Sequence, residues 1–193
     1  PADAGGVRLL MRALKRGDVV LAGSSFVLIE ALGLSRLAYG AVMALNSVLY
    51  IAGTIACRRL LGRWGLRRTV FAAGFVTFAA GALMLALAQF GWGRPWYGWW
   101  AIVLPQSLFI LAHGVHQPVG QSGTVAPFPR MAGAASALNG FIMMAVAFPM
   151  GLWLGRALDG TPLPLAQGFA LWCGVIAVTA WTLVQKHGEP DPH

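Results

Sequence analysis

HGVHQPVGQSGTVAPFPRMAGAASALNG, residues 113–140, is the stretch on which the fold depends. An apolar run, Trp99 to Ala112, leads into it, and a second, Phe141 to Leu154, leads out. Between them lie small and polar residues, then Pro127-Phe128-Pro129-Arg130. Proline lacks the N–H that a helix interior needs, and its ring clashes with the preceding turn, so Pro127 and Pro129 predict a break. Next, Ala132-Gly133-Ala134-Ala135-Ser136-Ala137 offers small side chains that let helices approach closely in lipid. The stretch predicts one membrane helix ending, a tight turn and another helix starting. Around this hairpin the chain divides into six helices of the same kind.

Composition agrees. Of 193 residues, 58% are hydrophobic and only 10% charged, where a soluble domain carries roughly 25% charged residues. The deficit runs along the whole chain and predicts an all-α, polytopic membrane protein. Eight Trp and 25 Gly suit that class, since Trp marks membrane interfaces and Gly is frequent in membrane helices. The net charge of +8 is confined to short segments between apolar runs. It leaves no solvated surface for nucleic acid. Cys57, at a helix end, and Cys173, in mid-span, read as small apolar residues. Two cysteines form neither a zinc site nor a disulfide framework. Pro-Ala-Asp-Ala-Gly-Gly at the start is not the charged n-region of a signal peptide. A chain opening on Pro1 reads as a fragment or a processed product.

In chain order, residues 7–16 (VRLLMRALKR) set Arg8, Arg12, Lys15 and Arg16 on one arc, with Val7, Leu10, Met11 and Leu14 mostly opposite. That pattern predicts a basic amphipathic helix on an anionic membrane surface; a solvated linker is the plainer alternative. The first span, Val19 to Ile29, is bounded by Asp18 and Glu30. Its run of about 11 residues covers only ~16 Å of a ~30 Å hydrocarbon core. It is expected to be truncated, or to borrow residues 7–16 by snorkelling. The second span is Leu37 to Cys57, followed by RRLLGRWGLRR. The third, Thr69 to Phe90, repeats Phe-Ala-Ala-Gly at 71–74 and 78–81, which predicts a small-residue packing seam. Trp92, Trp96, Tyr97, Trp99 and Trp100 then form an aromatic belt. The fourth span runs from about Tyr97 to Ser122 with Pro105 inside, the fifth from Met131 to Leu158, and the sixth from Leu163 to Val184. The organisation is a basic segment (1–16), a six-span bundle (17–185) and a polar tail (186–193).

The loops set the orientation. Arg8, Arg12, Lys15, Arg16, the five arginines at 58–68, Arg130 and Lys186 fall on one side, and Arg36, Arg94 and Arg156 on the other. The positive-inside rule then places both termini in the cytoplasm.

The chain at this point resembles a known family. Gly62-Arg63-Trp64-Gly65-Leu66-Arg67-Arg68 is similar to the G-x-x-x-D-R-x-G-R-R loop of major facilitator superfamily transporters, which recurs in degenerate form in their second half. Arg63, Gly65 and Arg67 match and imply a gating loop. Arg58 replaces the pattern's first Gly and Gly62 its Asp, so no gating ion pair through that Asp is implied. LAGSSFVLIEALGLSRLAYGAVMALNSVLYIAG and HQPVGQSGTVAPFPRMAGAASALNGF resemble the branch named for bicyclomycin resistance and chloramphenicol efflux. The resemblance covers about residues 17–185. It implies one half of a twelve-helix transporter of the bacterial inner membrane that expels small molecules or drugs in exchange for protons. Its first helix would be truncated, and its partners would be the lipid bilayer, the substrate, protons and a missing N-terminal half. The first-half residues on which that family's proton coupling leans have no counterpart here.

Several polar residues could carry chemistry. His113, His116, Gln117 and Gln121 fall near one stripe of the fourth span. The stripe reads either as the lining of a pathway near the cytoplasmic end or, more plainly, as interhelical hydrogen bonding. His113 and His116 lack a third ligand for a metal. Asn46, Gln106 and Asn139 are single polar residues on the second, fourth and fifth spans, where each reads first as glue between helices. Asn46 and Asn139 are carried forward as pathway candidates. Glu30 is expected to pair with Arg36, and Arg156 with Asp159 at the outer surface. No Ser/His/Asp set, phosphate-binding Gly loop or carboxylate pair points to an enzyme, and no cofactor is expected. Besides efflux, two other functions fit less well: a non-transporting six-helix scaffold, and a membrane-embedded enzyme using His113 and His116.

Overall fold

The computed structural model describes residues 28–29, 32–126, 128–157 and 159–187. The 7–16 segment, nearly all of the first span with Glu30, and the tail beyond 187 lie outside them, as do Pro127 and Leu158. The described residues are helical, with no strand among them. Four long helices follow one another: α1 (Arg36–Gly91), α2 (Trp100–Val125), α3 (Ala132–Ala157) and α4 (Leu163–Trp181). A short α5 (Leu183–His187) closes the series. By length and apolarity three stretches can cross a membrane: Arg36–Gly91, Pro129–Ala157 and Leu163–Lys186. The 26 residues of α2 are long enough, but HGVHQPVGQSG in its second half dilutes its apolar character.

α1 is not a straight rod. Val42 shares a buried cluster with Met84 and Ala88, and a straight helix would hold Val42 ~60 Å from Met84. The chain folds back at Gly65, whose φ of 74° and ψ of 174° interrupt the helical path. Only glycine adopts that backbone region readily. Two antiparallel arms result, residues 36–64 and 66–91. Ser35 caps the first, its hydroxyl accepting from the Ala38 N–H at 3.1 Å.

The core lies between these arms, α2 and α4. At one level Leu28, Val42, Met84, Ala88, Ile102 and Ala166 pack together. At another, near the fold-back, Cys57, Ala73 and Val115 meet. The first arm therefore runs parallel to α2. The two helices touch backbone to backbone at Gly53 and Gly114, where a Cβ on Gly114 would stand 2.9 Å from the Gly53 Cα. The second arm runs antiparallel to α4: a Cβ on Gly74 would meet Trp181 and Ala180, and one on Gly81 would meet Cys173. The small-residue seam read from the 71–74 and 78–81 repeat is thus in place, facing α4.

α3 stands apart. Gly151 is its one buried residue. It meets α4 where Trp153 lies over Gly168, and two open apolar grooves flank it. One, of about 430 Å³, includes Thr124, Phe128, Met131 and Asn139. The other, of about 650 Å³, includes Met143, Met150, Trp153 and Phe169. Ile142 lines both.

Asp159 does not pair with Arg156. Its Oδ1 accepts from the Thr161 N–H at 2.9 Å and the Thr161 O–H at 2.7 Å. Those two donors hold its carboxyl below the usual carboxylate range. The local turn satisfies the charge two residues away, and nothing draws Arg156 in. Cys57 and Cys173 are both free and buried.

Candidate functional site

The polar residues of the sequence converge on α2 and its neighbours. His113 is half-buried between aromatic rings. Its ring stacks on Phe109 at 5.4 Å and faces Tyr50 of the first α1 arm at 6.1 Å. His116 turns to the second arm instead, its Nε2 sharing a 3.1 Å hydrogen bond with the Thr77 hydroxyl. Thr77 is fully buried, at 0% exposure. Gln117 is half-buried and makes no side-chain hydrogen bond among the described residues. Gln121 is exposed, and its Oε1 accepts from the Asn139 Nδ2 of α3 at 3.2 Å. The same Nδ2 lies 3.8 Å from the Met143 sulfur.

Three of the four α2 residues therefore meet three different neighbours rather than one wall. Helical geometry explains the fan: at ~100° per residue, positions 113, 116, 117 and 121 spread over an arc of ~140°. The arc is wide enough for His116 to reach the second arm while Gln121 reaches α3.

Asn46 lies on the packed face of the first arm with Val42, Gly53 and Cys57. It is 8% exposed, and its Oδ1 has no hydrogen-bond partner. A buried amide oxygen left unpaired costs about 1–3 kcal/mol, so this position stores polar character that packing does not use. Gln106 borders a smaller cavity of about 180 Å³ with Met84, Ile102, Phe109 and Phe169.

The loop residues carried over from the family pattern take separate roles. Gly65 makes the fold-back. Arg63 is exposed. Arg67 is fixed through its backbone, since its carbonyl accepts from the Gln185 amide at 2.9 Å. That Gln185 latch was not singled out from sequence, nor were Tyr50 and Thr77. A lone Gln, Tyr or Thr in an apolar run carries no signal until its neighbour across the bundle is known. Among the described residues no group of three His, Cys, Asp or Glu side chains stands close enough to hold a metal ion.

Chemically, the arrangement offers neutral hydrogen-bond donors and acceptors with two imidazoles, set beside an apolar groove that α3 leaves open. The chain matches no protein-family model, no curated protein and no solved structure.

Proposed function

We propose that this chain is the C-terminal, six-span bundle of a transporter of the major facilitator type, exporting small molecules or drugs in exchange for protons, and that it does not transport alone. In this proposal the spans are the two arms of α1, then α2, α3 and α4, with a first span before Arg36. Both termini face the cytoplasm of a bacterial inner membrane.

The observation that carries the proposal is α3. It is apolar and long enough to cross a membrane, yet it buries only Gly151, and it presents Asn139, bonded to Gln121, at the edge of a groove. A helix facing only lipid gains nothing from a polar edge at depth. A helix forming one wall of a cavity, closed by a second bundle that rocks against it, uses both the open face and the polar edge. The second reading, a non-transporting scaffold, draws on the His116–Thr77 bond, which is what interhelical glue looks like.

Reconstitution separates them. Purified chain in liposomes with an imposed proton gradient is expected to expel no cationic amphipathic dye. With a matching first-half bundle co-reconstituted, efflux is expected, and Asn139→Leu and His113→Phe each abolish it while leaving the folded fraction unchanged. Robust efflux by the lone chain would overturn the half-transporter and make a homodimer the working unit. Silence from every folded pairing would favour the scaffold.

A further inference from the structure

Leu28 is the first described residue, and its place is fixed. Its side chain is fully buried, at 0% exposure, in the cluster of Val42, Met84, Ala88, Ile102 and Ala166. Its carbonyl accepts from the Leu34 N–H at 2.9 Å. Leu165 and Phe169 of α4 pack against the same cluster, and both also line the groove of about 650 Å³ between α3 and α4. The chain before Leu28 therefore sets out from one end of that groove.

The groove suits that preceding chain in length and polarity. From Leu165 to Ile176 it follows α4 for ~16 Å, and residues 17–27 span ~16 Å as a helix. Its walls are apolar, with Ile142 and Leu154 of α3 facing Phe169 of α4, and Val19 to Ile29 carries no charge. A helix that fills the groove from Leu28 backwards sets its first charge, Asp18, at the far end. Ala22-Gly23-Ser24-Ser25 falls in the middle and is small enough to pass the bulky Trp172. Trp172 also has its indole N–H buried without a hydrogen-bond partner, which costs free energy until an acceptor is supplied. Side chains lean toward the N-terminus of their helix, so this indole tilts back along α4 to the level one turn before Leu28. Ser24 and Ser25 lie at that level, each with a hydroxyl that accepts.

We infer that residues 17–27 dock in the α3–α4 groove as a helix antiparallel to α4, with Ser24 or Ser25 accepting from the Trp172 indole. This segment is favoured over a lipid chain or a second copy because it is tethered at the groove's end, which makes its docking an intramolecular event at high effective concentration. The two grooves of α3 then differ in use. One is sealed by the chain itself, and the other, beside Asn139, stays the face offered to a partner. The inference rests on the reading of a first span before Arg36 and not on transport, and its test reads no efflux.

Disulfide cross-linking of the full chain in membrane vesicles tests it, in a Cys57→Ala, Cys173→Ala background. Positions 19–27 are changed to cysteine one at a time and paired with Ala147→Cys in this groove or Ala134→Cys in the other. Cross-links to Ala147→Cys are expected within one chain, on one face of the segment near positions 22–25, and none to Ala134→Cys. Tryptophan emission checks the fold of each variant. Folded protein that gives no cross-link to Ala147→Cys, or equal yields with both partners, would overturn the docking. Dimer-sized products in place of intramolecular ones would also overturn it and hand the groove to a second copy. Ser24→Ala with Ser25→Ala should lower the unfolding midpoint in the parent chain but not in Trp172→Phe. An equal loss in both would overturn the hydrogen bond.

Discussion

Single residues decide how closely the first α1 arm and α2 approach. A Cβ on Gly53 would collide with the Leu111 carbonyl oxygen, and one on Gly114 would stand 2.6 Å from the Tyr50 carbonyl oxygen. Overpacking of this kind costs about 1–3 kcal/mol. Gly53→Ala and Gly114→Ala are each expected to destabilise the bundle by that amount in reversible unfolding in detergent. Gly174→Ala on α4, with nothing within 4 Å of its new methyl group, should stabilise by about 0.5–1 kcal/mol through helix entropy. Tyr97 gives a second residue-scale prediction. Its ring packs edge-on against Trp92 at 5.5 Å, its hydroxyl is buried without a partner, and burial pushes the phenol up to about 12 from 10.0. A raised phenol is neutral in the folded protein where the unfolded chain has begun to ionise. Its contribution is therefore whole below pH 10.0 and is lost as the pH climbs to about 12. Titrating stability through that window should show a decline that Tyr97→Phe removes. Phe should cost nothing near neutral pH, since it deletes an unpaired hydroxyl.

At the scale of elements, the α1 fold-back matters most. Gly65, at φ 74° and ψ 174°, sits in a region that costs a residue with a side chain about 1–3 kcal/mol. Gly65→Ala is expected to lower stability by that amount and to reopen the angle between the arms. The second arm carries the Phe71 carbonyl that anchors Trp181 and the Arg67 carbonyl that anchors Gln185. Trp181 emission should therefore shift toward that of a solvated indole. An unchanged spectrum alongside the stability loss would show that the arms keep their angle and only the turn is strained. The seam at 71–74 and 78–81 was legible beforehand because a seven-residue repeat of small residues names its own face. Its partner, α4, was not.

For the whole molecule, the charge distribution makes the topology testable. With the fold-back and Lys186 at one end and the Trp belt at the other, Arg63→Cys and Lys186→Cys should react with an impermeant maleimide only from the cytoplasmic side. Trp96→Cys should react only from outside. Labelling of Arg63→Cys from outside would invert the bundle. α3, with Gly151 alone buried, is the element whose surroundings should change most when a partner bundle is present. Its Met143 and Met144 are the positions to label for that comparison.

The sequence alone determined that this chain is helical, with helices long and apolar enough to cross a membrane, and the extents of most of them. Apolar runs, prolines and glycines act locally, and the bilayer's fixed thickness makes span length readable in one dimension. The turns after Gly91, Val125 and Ala157 follow from such local signals; residues 58–68, read as a loop between spans, are instead helix interrupted at Gly65. Only the tertiary structure decided which polar residues meet. His113 faces Tyr50 while His116, less than one turn on, bonds Thr77, and Asn46 is left unpaired. In lipid, helices gain little from hydrophobic sorting, so close packing of small residues and a few hydrogen bonds set their rotation. Those contacts join positions 18 to 118 residues apart, such as Gln121 with Asn139 and Arg67 with Gln185, and no periodicity along the chain encodes them.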